Sequence, residues 1–117
     1  MLLANRIQPN RAYVEAALDQ LHNVLGRSAT GYSYVTGAGT RFPKHPHDRI
    51  QASTGVMIPG LVVGGPNKQG GDPEIDAIKS TTPPAKSYLD VQASYSSNEY
   101  AIDYNAPLVF LLSFFAR

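Results

Sequence analysis

The sequence predicts an all-α fold of two main helices joined by long irregular loops with short strands, on three observations. Only two segments carry a helical period, about eighty residues between them carry almost none, and the last segment is apolar on every face. The length of 117 residues allows one domain at most, so residues 1–117 are read as a single unit.

The first helix is expected from about residue 10 to 25. Tyr13, Val14, Ala17, Leu18, Leu21, Val24 and Leu25 recur at spacings of three and four and form one apolar stripe, with Asn10 as N-cap and Gly26 as C-cap. Short strands are expected at Ser33–Thr36 and Leu61–Val63. The stretch from Ser53 to Ser87 holds six Gly and five Pro, too many for regular structure. Its interleaved aromatic and β-branched residues argue against disorder. The second helix is expected from Asn105 to Ala116, with Asn105 as cap and Pro107 in the first turn, where a missing N–H costs little. Leu108, Val109, Phe110, Leu111, Leu112, Phe114 and Phe115 leave it almost no polar face, so it must be enclosed on all sides. Two helices cannot do that alone, and self-association is expected of the isolated chain.

Charge and composition exclude several functions. Ten Lys+Arg against nine Asp+Glu rule out a nucleic-acid surface driven by bulk charge. The run from Pro107 to Ala116 is half a membrane span, so no transmembrane helix and no membrane partner are expected. Met1–Ala4 is too short for a signal h-region. The absence of cysteine removes thiolate metal sites and a Cys nucleophile. Gly37-x-Gly39 lacks a third Gly and a following helix, and Gly64-Gly65-Pro66-Asn67-Lys68 reads as a turn, so no nucleotide and no cofactor are expected. Asp72, Glu74 and Asp76 alternate after two glycines. They suit either Ca²⁺ or a solvated loop, and Pro73 and the lack of a downstream bidentate Glu weigh against the ion.

Two constellations carry chemistry. In Ser33–Arg49, His45 and His47 flank Pro46, and Arg49 follows two residues later. Pro46 stiffens the turn, while imidazole and guanidinium offer the donors and acceptors that a polyhydroxylated ligand needs. A solvated surface turn explains the same residues, and a metal reading lacks a third ligand. In Tyr88–Ala106, four Tyr, two Asp and one Glu precede the apolar helix. Aromatic faces stack on sugar rings. Glu99, enclosed by Tyr95, Tyr100 and Tyr104, would have its carboxyl pKa raised and suit a general acid. Alternatively, Glu99 favours the N-terminus of the following helix through its dipole.

Together the two stretches resemble the two signatures of glycoside hydrolase family 9, the cellulase family E type. Gly39, Arg41, Pro46, His47 and Arg49 match the first, and Tyr88, Asp90, Tyr95, Glu99, Ala101, Asn105 and Ala106 match the second. Leu25-Gly26-Arg27 and Pro59–Asn67 resemble further family segments. The resemblance covers nearly the whole chain and only the C-terminal part of the family's catalytic domain. It implies a portion of an (α/α)6 barrel that hydrolyses β-1,4-glucan or cello-oligosaccharide with inversion, and secretion follows from so large a substrate. By the same match Glu99 is the general acid, His47 and Arg49 bind sugar with His45 and Tyr95 as lesser contributors, and Asp90 supports the site by hydrogen bonding. The family's base lies in an Asp-Ala-Gly-Asp motif, which this sequence lacks. The isolated chain is therefore expected to be inactive, and its natural partner is the missing N-terminal part of the barrel. The alternative is a non-catalytic carbohydrate-binding or assembly-dependent piece. Asp48 stands where many members have a second His, Ser28 where many have Asn, and Ala38 where Phe is common.

Overall fold

The computed structural model describes residues 1–116. Six α-helices run in chain order: α1 Leu2–Ile7, α2 Arg11–Val24, α3 Arg49–Thr54, α4 Pro73–Ile78, α5 Tyr95–Asn98 and α6 Ile102–Phe115, with a 3-10 turn at Pro84–Lys86 before α5. The two 14-residue helices, α2 and α6, are the pair that the periodicity predicts. The four short helices carry too few turns to show a period.

Helix α2 starts as expected: the Asn10 side chain accepts from the Ala12 N–H. Its end is one residue earlier than the sequence suggests. Leu25 is the C-cap, and Gly26 follows at φ 118°. The Gly26 N–H then bonds to the Asn23 carbonyl, and the Arg27 N–H to the His22 carbonyl at 2.8 Å. This pair closes the helix with a Schellman turn, for which the left-handed glycine is needed.

Helix α6 departs further from expectation. It begins three residues before Asn105, with Ala101 as N-cap, and Pro107 lies inside it. Asn105 does not cap the helix. It accepts from the Val62 N–H at 3.1 Å and donates to the Gly60 carbonyl at 2.7 Å, pinning the 60–62 loop to the helix side. Nor is α6 enclosed: Leu108 is its one buried residue, while Val109 is 63% exposed and Ile102 89%. Helix α2 packs along one stripe of it, and α1 lines an open cavity with it through Leu2, Arg6, Phe110 and Phe114.

The expected strands do not form. Among the described residues there are isolated antiparallel bridges only, Leu25 to Ser33, Val35 to Val62 and Val63 to Tyr100. Gly37 and Gly60, both in the left-handed region, turn the chain before a second pair of residues can align. The bridges still order the fold. They tie the end of α2 to the His-bearing segment, that segment to the Gly-Gly-Pro-Asn loop, and that loop to the residue after Glu99. Leu21, Val35, Val62 and Leu108 form one buried cluster at this junction, and Tyr34, Val63 and Tyr88 form a second. Tyr88 meets Tyr32 and Tyr34 edge-on, at 5.3 and 5.4 Å between ring centres. Burial, and then the charge of Asp90, pushes the Tyr88 hydroxyl well above the ordinary tyrosine range, so it serves as a permanent donor. Among the described residues no helix is long and apolar enough to cross a membrane.

Candidate active site

The His-bearing turn is shaped by two prolines and one carboxylate. Pro43 and Pro46 are fully buried. Asp90 accepts from the Lys44 N–H with both oxygens, at 3.0 and 2.9 Å, and from the His45 N–H at 2.9 Å. A short turn then forms as the Asp48 N–H bonds to the Pro46 carbonyl at 2.8 Å. His47 is held at both ends: its N–H donates to the Asn98 carbonyl, and its Nδ1 lies 2.6 Å from the Gln92 carbonyl. A carbonyl only accepts, so Nδ1 carries a proton and, in the neutral ring, Nε2 is the acceptor. Tyr95 packs edge-on against His47 at 5.9 Å, and its hydroxyl donates to the Gly71 carbonyl.

Asp48 is buried and caps α3 through Oδ1, which accepts from the Ile50 N–H at 2.9 Å, while Oδ2 has no hydrogen-bond partner among the described residues. Arg49, the first residue of α3, is exposed.

Glu99 does not sit inside a tyrosine ring. It is exposed, as are Tyr95 and Tyr104. The reason is the turn that carries it. In α5 the side chains of Ser97 and Asn98 take the interior, and Glu99 follows in extended backbone at φ −83°, ψ 141°. Tyr95 is engaged by His47 and Gly71 instead. The helix-dipole alternative is also not realised: Ala101 caps α6, and the acid in its first turn is Asp103.

Glu99 instead shares an open groove of about 330 Å³ with His47, Asp48, Arg49, Ile50 and Tyr100. His45 lines a different cavity of about 260 Å³, with Pro46, Gln51, Ala52, Gly55 and Gln92, on the other side of the turn. Of the expected site residues, then, the groove gathers Glu99, His47 and Arg49. Tyr95 and Asp90 lie behind His47, and His45 faces elsewhere.

Two residues that hold the site escaped the sequence reading. Asn98 is completely buried and joins the two signatures. Its Nδ2 donates to the His45 carbonyl at 2.7 Å, and its Oδ1 accepts from the Tyr88 hydroxyl at 2.7 Å. Nothing in the sequence marks it beyond its place before Glu99. The other is Asp72, 1% exposed. Its Oδ1 caps α4 at the Ile75 N–H, and its Oδ2 accepts from the Ser94 hydroxyl and from both the N–H and the hydroxyl of Ser96. Burial alone would raise its pKa, but these hydrogen bonds outweigh it and hold the carboxyl below the ordinary aspartate value. Asp72 therefore does not converge with Glu74 and Asp76, and Asp76 pairs with Lys79 at 2.7 Å. Among the described residues no group of three His, Asp or Glu side chains gathers with metal-ligand geometry. The Asp-Pro pair before a short apolar stretch is an N-cap signal and would have revealed α4.

Glu99, His47 and Arg49 thus line one open groove, and comparison with known proteins gives the family. The glycosyl hydrolase family 9 model matches residues 1–112, and the chain belongs to that family. It is 48% identical over 103 residues, 86% of its length and 17% of the other's, to a xyloglucan-specific endo-β-1,4-glucanase of Bacteroides ovatus. It is 40% identical to endoglucanase D of Acetivibrio thermocellus over 98% of the chain and 16% of that protein. The crystal structure of the family 9 endoglucanase J30 superposes with a TM-score of 0.95 at 54% identity, over 99% of this chain and 22% of that one. The chain thus spans less than a quarter of each of these proteins.

Proposed function

We propose that this chain supplies the general acid and part of the sugar-binding cleft for inverting hydrolysis of β-1,4-glucosidic bonds in cellulose-type glucans. The observation that supports it is the groove shared by Glu99, His47 and Arg49. In the reaction, the Glu99 carboxyl protonates the glycosidic oxygen as the bond to C1 breaks and its electron pair leaves with that oxygen. Water attacks C1 from the opposite face and gives its proton to a second carboxylate ~6.5–9.5 Å from the first. His47 Nε2 and the Arg49 guanidinium hold hydroxyls of the sugar next to the scissile bond, and Asp90 fixes the turn that presents them.

The second carboxylate belongs to polypeptide outside this sequence, which has no Asp-Ala-Gly-Asp motif. On this reading the chain is one part of an (α/α)6 barrel and is inactive alone. The exposed apolar side of α6, with Ile102, Val109, Phe110 and Leu112, supports the same view. It is the face on which the rest of a barrel would lie, or, in the isolated chain, a second copy.

The test is a chimera in which this chain replaces the matching segment of the similar endoglucanase. It should release reducing sugar from soluble cellulose, and Glu99→Gln should lower kcat by about 10²–10⁴-fold. A Glu99→Gln chimera of undiminished rate removes the acid assignment. The second reading, a carbohydrate-binding piece without chemistry, predicts heat on titrating the isolated chain with cellohexaose. No heat up to millimolar ligand eliminates it.

A further inference from the structure

The loop from Gly64 to Asp72 makes bond after bond to the turn that ends at Glu99. The Gly64 N–H donates to the Glu99 carbonyl at 3.0 Å, and the Gly65 N–H to the Ser97 carbonyl at 2.8 Å. Asn67 Nδ2 donates to the Ser96 carbonyl at 3.0 Å. The Gly71 carbonyl receives the Tyr95 hydroxyl. Asp72 closes the clamp, its Oδ2 taking three donors at 3.1, 2.8 and 2.6 Å from Ser94 and Ser96. Each residue of the turn from 94 to 99 except the inward-facing Asn98 is thereby gripped by this one loop, and Asn98 is gripped from the His-bearing side.

The loop lies in ordinary van der Waals contact with its neighbours. A Cβ at Gly64 would stand 3.6 Å from the Ser97 carbonyl oxygen, and Gly65 lies at φ 80° against the Tyr34 ring. Gly64, Gly65, Asn67, Gly71 and Asp72 offer little apolar side chain to hold such a turn by packing, so polar bonds do it. The one charged acceptor among them is Asp72, and hydrogen bonds to a charged group are the stronger kind.

We propose that Asp72 is a positioning residue for Glu99, acting through Ser94 and Ser96 to fix where the acid stands in the groove. Its importance for catalysis rests on the reading of Glu99 as the acid, whereas its grip on the turn does not. Asp72→Asn isolates the role. With Oδ1 still capping Ile75, the new amide places donors against the three donors of the turn.

The experiment is amide hydrogen exchange by NMR on the 117-residue chain, with the kinetics of the chimera as a second readout. In Asp72→Asn the Gly64 and Gly65 amides should lose protection and the Glu99 amide resonance should move. The Tyr34 and Thr36 amides, bonded to Val24 and Leu61, should stay protected. In the chimera kcat should fall about 10²-fold, as for a ~1 Å misplacement of a reacting group, with KM within about twofold. If Asp72→Asn does not fold, Ser96→Ala decides, since it removes one donor and should give the same local pattern at lower amplitude. Protection lost equally at Tyr34, Thr36, Gly64 and Gly65, or unchanged at all four, overturns the proposal. A Glu99→Gln chimera that keeps its rate sinks the acid assignment alone and leaves the exchange pattern to decide the grip.

Discussion

Asn98 and Val109 lie eleven residues apart and meet opposite fates. Asn98 is completely buried, with both ends of its side chain hydrogen bonded. Val109, in the middle of α6, is 63% exposed. The contrast extends to the regions around them. The loops between residues 33 and 100 close on themselves through buried polar bonds, while the α1–α2–α6 side presents apolar surface that the chain does not cover. Irregular backbone can be complete in itself when its polar groups find partners. A regular apolar helix satisfies its own backbone and still needs an outside surface for its side chains.

The largest change should come from Asn98→Ala. It leaves the buried Tyr88 hydroxyl without an acceptor and frees the His45 carbonyl, at a cost of about 3–5 kcal/mol, read from urea unfolding. A loss under about 1 kcal/mol would mean that the polar half is not closed in the sense argued. Leu108→Ala should follow at about 3 kcal/mol, because Leu108 is the one α6 residue buried against Leu21, Val35 and Val62.

Acid should then weaken the polar side selectively. Asp72 is held below its ordinary value of 3.8 in the folded chain, so its contribution is fully present above that pH. It is lost as pH falls below 3.8 through the lowered value, because the unfolded chain then binds the proton more tightly. Thermal melts of the parent should lose stability in that window, and those of Asp72→Asn should lose less; parallel pH profiles would contradict the clamp. The smallest effect on stability belongs to Val109→Ser, within about 0.5 kcal/mol. The same change should reduce self-association in sedimentation at high concentration, and a parent chain that sediments as a clean monomer there would remove the need for an outside surface.

The fold was legible where a local rule sufficed. Asn10 caps α2, Gly26 ends it and the period of seven residues marks its stripe, since each depends on neighbours within a turn. The start of α6 was misread because Asn105 resembles a cap, while its amide is used sideways by Gly60 and Val62, some forty residues away. Short strands were expected from β-branched residues, but a strand needs a partner in register, and the glycine turns permit single bridges only. In the site, the pairing of Glu99 with His47 and Arg49 came from the resemblance of two stretches to the family's signatures. The open setting of Glu99 and the separate cavity of His45 could not, since both follow from which side of a turn is buried.

Residue order by itself determined the two long helices, the apolar character of the last and the family. These are properties of spacing and side-chain type, which exist before the chain folds. Only the tertiary structure decided that Asn98 and Asp72 bond across to the residues around Glu99, that Glu99 stands in the open, and which stripe of α6 is covered. Those depend on hydrogen bonds and contacts between segments from about twenty to nearly ninety residues apart, whose meeting no local pattern encodes.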